Sequence, residues 1–395
     1  MGFIADKAAR VSPSSTLAID SKAKAMIAQG IDVVAFGAGE PDFDTPQHIK
    51  DAAIEAIMAG KTKYTPASGT VDLKQAVCRK FARDNGLSYA PENIVVSNGA
   101  KHSLMNIFNA ICNPGDEVII PAPFWVSYPE MVKMADGVPD ALMTKEENDF
   151  KFTADELEAA ITDKTRALVL NTPSNPTGMV YTKAELEAIA EVILRHDIYV
   201  ISDEIYEHLA YGDFPTSIAA LGEEIKEKTI IVNGVSKTYA MTGWRIGYTA
   251  SNAALAKVMS NIQSHATSNP NSIAQAAAIA ALDGPMDEML KMKAAFNERR
   301  KYMMERIAKI DGVSCREPKG AFYVMMNISA LKGRTLGGVK IESSDDFANA
   351  FLEKALVAVV PGSGFAADDY VRWSYATSME NIKKGLDRLE AFLKA

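Results

Sequence analysis

The chain has 395 residues, 48% of them hydrophobic and 23% charged, which is enough apolar material for two packed units rather than one small core. Its formal net charge of -8 argues against nucleic acid or anionic membrane as a main partner, because both reward a basic surface. Cys78, Cys112 and Cys315 are widely spaced with no Cys-x-x-Cys pair, so neither a disulfide framework nor a zinc site is indicated and a cytoplasmic protein is expected. The N-terminal residues lack an apolar signal core, and no apolar stretch is long enough to span a bilayer.

In chain order, a helix is expected from about Ser21 to Gln29, then a Gly/Pro-rich crossing, Gly37-Ala38-Gly39-Glu40-Pro41-Asp42. From about residue 93, short apolar runs alternate with longer amphipathic stretches: Ile94-Val95-Val96, Glu117-Val118-Ile119-Ile120, Ala167-Leu168-Val169-Leu170, Tyr199-Val200-Ile201 and Ile230-Ile231-Val232. A further strand is expected from Arg245 to Ala250. Between the runs, Lys183 to Arg195 places Leu186, Ile189, Ala190 and Ile193 on one helical side, with Thr182 suited to the N-cap. This βα series predicts an α/β fold with a mostly parallel sheet covered by helices on both faces.

After Asp283-Gly284-Pro285, an amphipathic stretch from Met286 to Ile310 leads to strand-like runs at Phe322 to Met325, Val357 to Val360 and Tyr370 to Tyr375, then a terminal helix from Met379. The expected division is a large domain at 45–285 and a smaller α+β domain at 1–44 and 286–395.

Lys237 carries the most chemistry. It lies in Gly234-Val235-Ser236-Lys237 beyond a buried strand, where open α/β sheets place ligands, and a lysine there can form a Schiff base with a carbonyl cofactor while Ser236 and Arg245 hold an attached phosphate. Other loops bear on the same place. Ser97-Asn98-Gly99-Ala100-Lys101 opens a helix whose amides suit a phosphate, although the segment also reads as a plain strand–helix turn. Trp125 is either a stacking surface for an aromatic ring or a packing residue. Asn175 falls in a loop dense in turn formers, as a donor to a ligand oxygen. Asp203 is either a helix N-cap or a buried partner for a pyridine nitrogen, with Tyr206 just beyond it.

These segments, in this order and approximate spacing, resemble the fold-type I pyridoxal-phosphate enzymes, specifically the class I aminotransferases and their bacterial aspartate aminotransferase branch. The resemblance covers essentially the whole chain. It implies a seven-stranded sheet in the large domain, pyridoxal 5'-phosphate as cofactor, amino acids and 2-oxo acids as substrates, and a homodimer with shared active sites. It makes Lys237 the Schiff-base lysine and proton shuttle, Asp203 the partner of the ring nitrogen, and Asn175 and Tyr206 the partners of the ring's 3′ oxygen. Trp125 stacks on the ring; the amides of Ala100 and Lys101, with Ser236 and Arg245, surround the phosphate, which Tyr64 reaches from the neighbouring subunit. Gly39, Trp125 and Asn175 line the substrate site, and Arg372 holds the α-carboxylate as a bidentate fork.

Two departures bear on specificity. Gly234 stands where many relatives have a phosphate-binding serine. The stretch Ser264 to Pro270 lacks the arginine that some aspartate aminotransferases bring from the partner subunit to the distal carboxylate. Lys101 and Thr16 are the candidates for that role. The expected reaction is a ping-pong transfer from aspartate to 2-oxoglutarate, with broader-specificity aminotransferases and a pyridoxal-phosphate lyase as alternatives. Gly362-Ser363-Gly364-Phe365 mimics a dinucleotide fingerprint, but Asp368-Asp369 and a new strand follow too soon for the required helix, so a turn is expected.

Overall fold

The computed structural model describes residues 3–13 and 15–394, without the side chains of residues 15–17. The β-branched runs form a seven-stranded sheet ordered Ile94–Ser97, Gly247–Ala250, Thr229–Gly234, Tyr199–Asp203, Thr165–Asn171, Glu117–Ala122 and Val138–Met143. Gly247–Ala250 alone runs against its neighbours. Ile94–Ser97, Gly247–Ala250 and Thr229–Gly234 are buried at every residue because helices cover both faces. Alternation sends neighbouring residues to opposite sides. Val118 and Ile120 pack with Leu104, Ile107 and Phe108, whereas Ile119 packs with Leu186, Ile189 and Ile193.

Helix Lys183–His196 starts where its sequence dictates: the Thr182 hydroxyl accepts from the Glu185 amide, and the Glu185 side chain returns to Thr182 in a capping box. The first long helix runs from Ser15 to Ala28, earlier than expected. The strand expected from Arg245 begins only at Gly247, because Arg245 adopts a left-handed conformation with φ of 57°.

A second sheet, ordered Val360–Pro361, Tyr370–Ser374, Tyr323–Asn327 and Ser314–Cys315, is antiparallel. The expected single strand from Val357 to Val360 is split: Val357–Ala358 pairs in parallel with Val34–Ala35, and Val360–Pro361 joins the antiparallel sheet. One apolar core holds Phe36 from the N-terminal segment with Phe296, Tyr323, Phe351, Trp373 and Leu386. The Ser374 amide donates to the Phe36 carbonyl at 2.9 Å, which ties the start of the Gly37–Asp42 crossing to this sheet, and Gly39 within the crossing accepts from Lys237 in the loop beyond Thr229–Gly234. The segment Gly362–Phe365 is a single 3-10 turn, in which a Cβ at Gly362 would lie 2.0 Å from the Ala367 carbonyl oxygen. Among the described residues, no helix is long and apolar enough to cross a membrane.

Candidate active site

Six parallel strands end at one edge of the large sheet, and the reversed strand begins there. A cleft of about 380 Å³ opens at that edge, between it and the antiparallel sheet. Gly39, Ala100, Lys101, Trp125, Asn175, Asp203, Tyr206, Ser236, Lys237, Arg245 and Arg372 all line it. Of the sequence-predicted residues with described side chains, Tyr64 is the one that does not line it. Tyr64 is 90% exposed on its own chain. Thr16 sits in helix Ser15–Ala28, but its side chain lies outside the described residues.

Asp203 ends its strand with a fully buried carboxylate. The Tyr128 hydroxyl donates to Oδ2 at 2.7 Å and the Ile205 amide donates to Oδ1 at 3.3 Å. Burial pushes Asp203 up from 3.8 to about 6, against the opposing pull of those donors and of the Lys237 charge. Lys237, part-buried, donates from Nζ to the Gly39 carbonyl at 2.5 Å. Burial brings its amine down from 10.5 to about 8; Glu40 pulls the other way, while Arg245 and Arg372 depress it further. The cleft thus joins a carboxyl group and an amine that burial has pushed towards one another's range.

The helix Ala100–Ile111 begins without a side-chain cap, which leaves amides at its start free to receive an anion. Two glycines permit the arrangement. A Cβ at Gly99, whose φ is 89°, would lie 2.2 Å from Nη2 of Arg245, and one at Gly247 would lie 2.2 Å from the Ala100 nitrogen. Arg245 reaches the same place from its left-handed turn, donating to the Thr242 carbonyl at 2.9 Å. These amides, the Arg245 guanidinium and the neighbouring Ser236 form a cradle whose chemistry fits a phosphate group. Gly234 contributes no hydroxyl, and there is no space for one: its Cβ would meet the Ile246 carbonyl at 2.9 Å.

Arg372 is 2% exposed and meets neutral acceptors only. Nη1 donates to Asn175 Oδ1 at 2.9 Å and Nη2 to the Gly37 carbonyl at 3.0 Å, while the guanidinium lies 4.4 Å from the Tyr323 ring centre. Burial lowers its proton affinity from the ordinary arginine value. Lys101 is solvent-exposed, yet protein atoms crowd its ammonium, which stands 4.8 Å over the Trp125 ring; burial, then Arg245, depress its pKa. Neither Lys101 nor Arg372 has a carboxylate partner among the described residues. A lysine at one end of a ring-sized space, a buried acid and an indole beside it, and a phosphate cradle make a donor set that fits pyridoxal phosphate.

Sequence reasoning missed Tyr128 and Tyr323. Tyr128 lies in helix Ser127–Met134 with its ring edge-on to Trp125 at 5.3 Å, and Tyr323 opens strand Tyr323–Asn327 with its hydroxyl 3.0 Å from that of Tyr206. An aromatic two or three residues after a strand-end loop was the available signal for Tyr128. Nothing local marked Tyr323.

Residues 31–389 match the family of class I and II aminotransferases. The chain is 50% identical over 393 residues to the aspartate aminotransferase of Bacillus sp. strain YM-2, covering 99% of both proteins. It is 49% identical over 395 residues to the aspartate/prephenate aminotransferase of Cereibacter sphaeroides, again covering 99% of each. Among solved structures, aspartate aminotransferase from Thermus thermophilus with maleate superposes with a TM-score of 0.94 at 43% identity, covering 99% of this chain and 100% of that one.

Proposed function

Since the chain belongs to the class I and II aminotransferases and is a pyridoxal-phosphate-dependent transaminase, we propose that it moves the amino group of aspartate to 2-oxoglutarate in two half-reactions. The observation that carries the specificity is the pair of cations in one cleft, Arg372 and Lys101, that lack carboxylate partners among the described residues. A buried guanidinium offered only neutral acceptors is stabilised by an incoming anion, and a substrate with carboxylates at both ends satisfies both cations. The similar Thermus structure is of the protein with maleate, itself a dicarboxylate.

When bound, the cofactor supplies a carbonyl for the amine and a ring that accepts the electron pair of the α-carbon. Lys237 would hold it covalently and, once released, take and return the α-proton, for which an amine depressed to about 8 is better suited than one at 10.5. Asp203, a buried carboxylate awaiting a cation, would keep the ring nitrogen protonated. Asn175 and Tyr206 would hold the ring's oxygen, Trp125 its face, and the Ala100–Arg245–Ser236 cradle its phosphate. Arg372 would grip the α-carboxylate, and Gly39 would close over the substrate, its carbonyl being the Lys237 acceptor.

We further propose a homodimer in which Tyr64 of each copy serves the other's phosphate site. Its ring is exposed on the same chain as Ile54, Ile57 and Met58, which are also exposed. The reading also keeps the division into a large domain at 45–285 and a small one at 1–44 with 286–395, with the substrate between them.

Amino donors assayed with 2-oxoglutarate, oxaloacetate and prephenate test the reaction. Aspartate and glutamate should lead, and prephenate is the second acceptor to examine because a relative at 49% identity bears that name. Borohydride reduction should fix the cofactor to Lys237. A label on another lysine, or neutral donors outrunning acidic ones, would overturn the reading.

A further inference from the structure

Tyr206 lies in the turn after strand Tyr199–Asp203 of the large sheet and Tyr323 in the antiparallel sheet; both are buried, and their hydroxyl oxygens lie 3.0 Å apart. A hydroxyl pair at that distance needs one donor and one acceptor. The Tyr323 ring is also the face against which Arg372 rests, and its oxygen would lie 3.2 Å from a Cβ placed on Gly39. Phe322 presents its ring edge-on to Tyr206 at 5.6 Å, so Tyr206 is gripped by two consecutive residues of one strand. Register fixes that strand: Tyr323 pairs with Ser374 and Met325 with Arg372 across the antiparallel ladder.

We propose that Tyr323 is a positioning residue that acts on the cofactor through Tyr206, while its ring seats Arg372. This rests on the reading of Tyr206 as donor to the ring oxygen. If Tyr206 gives its proton to that oxygen, its own oxygen is the only acceptor left for Tyr323, and Tyr323 donates to it. The order of donation is then Tyr323 to Tyr206 to the ring oxygen. A phenol that accepts one hydrogen bond becomes a stronger donor in the next, so the chain acts as a unit. It runs from the sheet that carries Arg372 to the loops beyond the large sheet's strands, where Lys237 lies, and it links the residue proposed for the substrate carboxylate with those proposed for the cofactor.

A covalent linkage between Lys237 and the cofactor would titrate, and its deprotonated state would leave negative charge on the ring oxygen without a neighbouring positive charge. A donor to that oxygen favours this state and lowers the midpoint. Loss of the Tyr323 hydroxyl must therefore raise it, even though Tyr323 does not touch the oxygen itself. A residue that only fills space would not move it.

The experiment titrates the visible absorbance of the holoenzyme against pH in the wild type, Tyr206→Phe, Tyr323→Phe and the double variant. Tyr206→Phe should raise the midpoint most. Tyr323→Phe should raise it by roughly half to one unit, the size of one net hydrogen bond. The double variant should match Tyr206→Phe alone. The KM for aspartate should stay near wild type in Tyr323→Phe, which keeps the ring, and rise in Tyr323→Leu, which removes the face under Arg372. A Tyr323→Phe midpoint at the wild-type value while Tyr206→Phe is raised, or a double variant in which the two shifts add, overturns the proposal and leaves the reading of Tyr206 standing. No shift in Tyr206→Phe overturns both.

Discussion

The Tyr128 hydroxyl donates to Oδ2 of Asp203 at 2.7 Å from a ring that is itself buried, so the strand-end carboxylate has one oxygen held from the side. Removing that donor by Tyr128→Phe raises the proton affinity of Asp203 above its present value of about 6. More of the protein then holds a neutral acid at slightly acidic pH, where it cannot pair with a protonated ring nitrogen. Cofactor affinity should fall by roughly 10- to 100-fold, the worth of a hydrogen bond to a charged group, and the loss should be larger at pH 6 than at pH 8. Dissociation of the cofactor followed across pH checks this. A uniform loss would mean that Tyr128 acts by packing alone.

The same carboxylate sets a pH dependence of stability in cofactor-free protein. Its folded value of about 6 lies above the ordinary 3.8, so the native state binds more protons than the unfolded chain between those values. Stability therefore falls as pH rises from about 4 to 6 and stays lower above, by on the order of 3 kcal/mol. Asp203→Asn removes the titration and keeps an acceptor for Tyr128. Urea unfolding of the stripped variant should show greater stability than wild type at pH 7.5, with the gap closing towards pH 4. Equal stability at pH 7.5 would show that other groups compensate the buried charge.

Which parts of the site were legible follows from where each residue sits. Asn175, Asp203 and Lys237 come just after buried apolar runs, and a strand followed by a polar loop is visible in sequence. Tyr128 and Tyr323 reach the site across 75 and 117 residues from their partners, and no local pattern encodes such a meeting. The edge strand Val138–Met143 has no fully buried residue, so it lacks the apolar run that marked the inner strands. The Val357 to Val360 run was visible as apolar, but hydropathy does not say which neighbour each half pairs with. Arg245 was recognisable as a cation, whereas its φ of 57° and the seating of its guanidinium against Gly99 show only in the folded chain.

Tyr64 supplies a test of assembly. If each copy completes the other's phosphate cradle, mixing Lys237→Ala with Tyr64→Ala under exchange conditions should form hybrid dimers with one fully restored site. About half of the hybrid's sites then lack both lesions, and activity should exceed that of either parent. A fully active monomer by sedimentation, or no recovery despite demonstrated hybrids, would place Tyr64 outside the site.

Arg372 and Lys101 make opposite predictions. Arg372→Ala should impair every amino donor, because the α-carboxylate is common to all; truncating one partner of a buried charge pair costs on the order of 2–5 kcal/mol. Lys101→Ala should instead lower kcat/KM for aspartate and glutamate by roughly 1.5–3 kcal/mol while sparing alanine and phenylalanine. Lys101 also lies in the first turn of the helix whose amides are proposed to receive the phosphate, so a backbone disturbance would reduce all donors together. Lys101→Met keeps the stem over Trp125 and separates the two causes. Selective loss in both variants assigns the ammonium to the distal carboxylate. Equal losses for acidic and neutral donors would leave the transaminase assignment intact and place aspartate specificity elsewhere in the cleft.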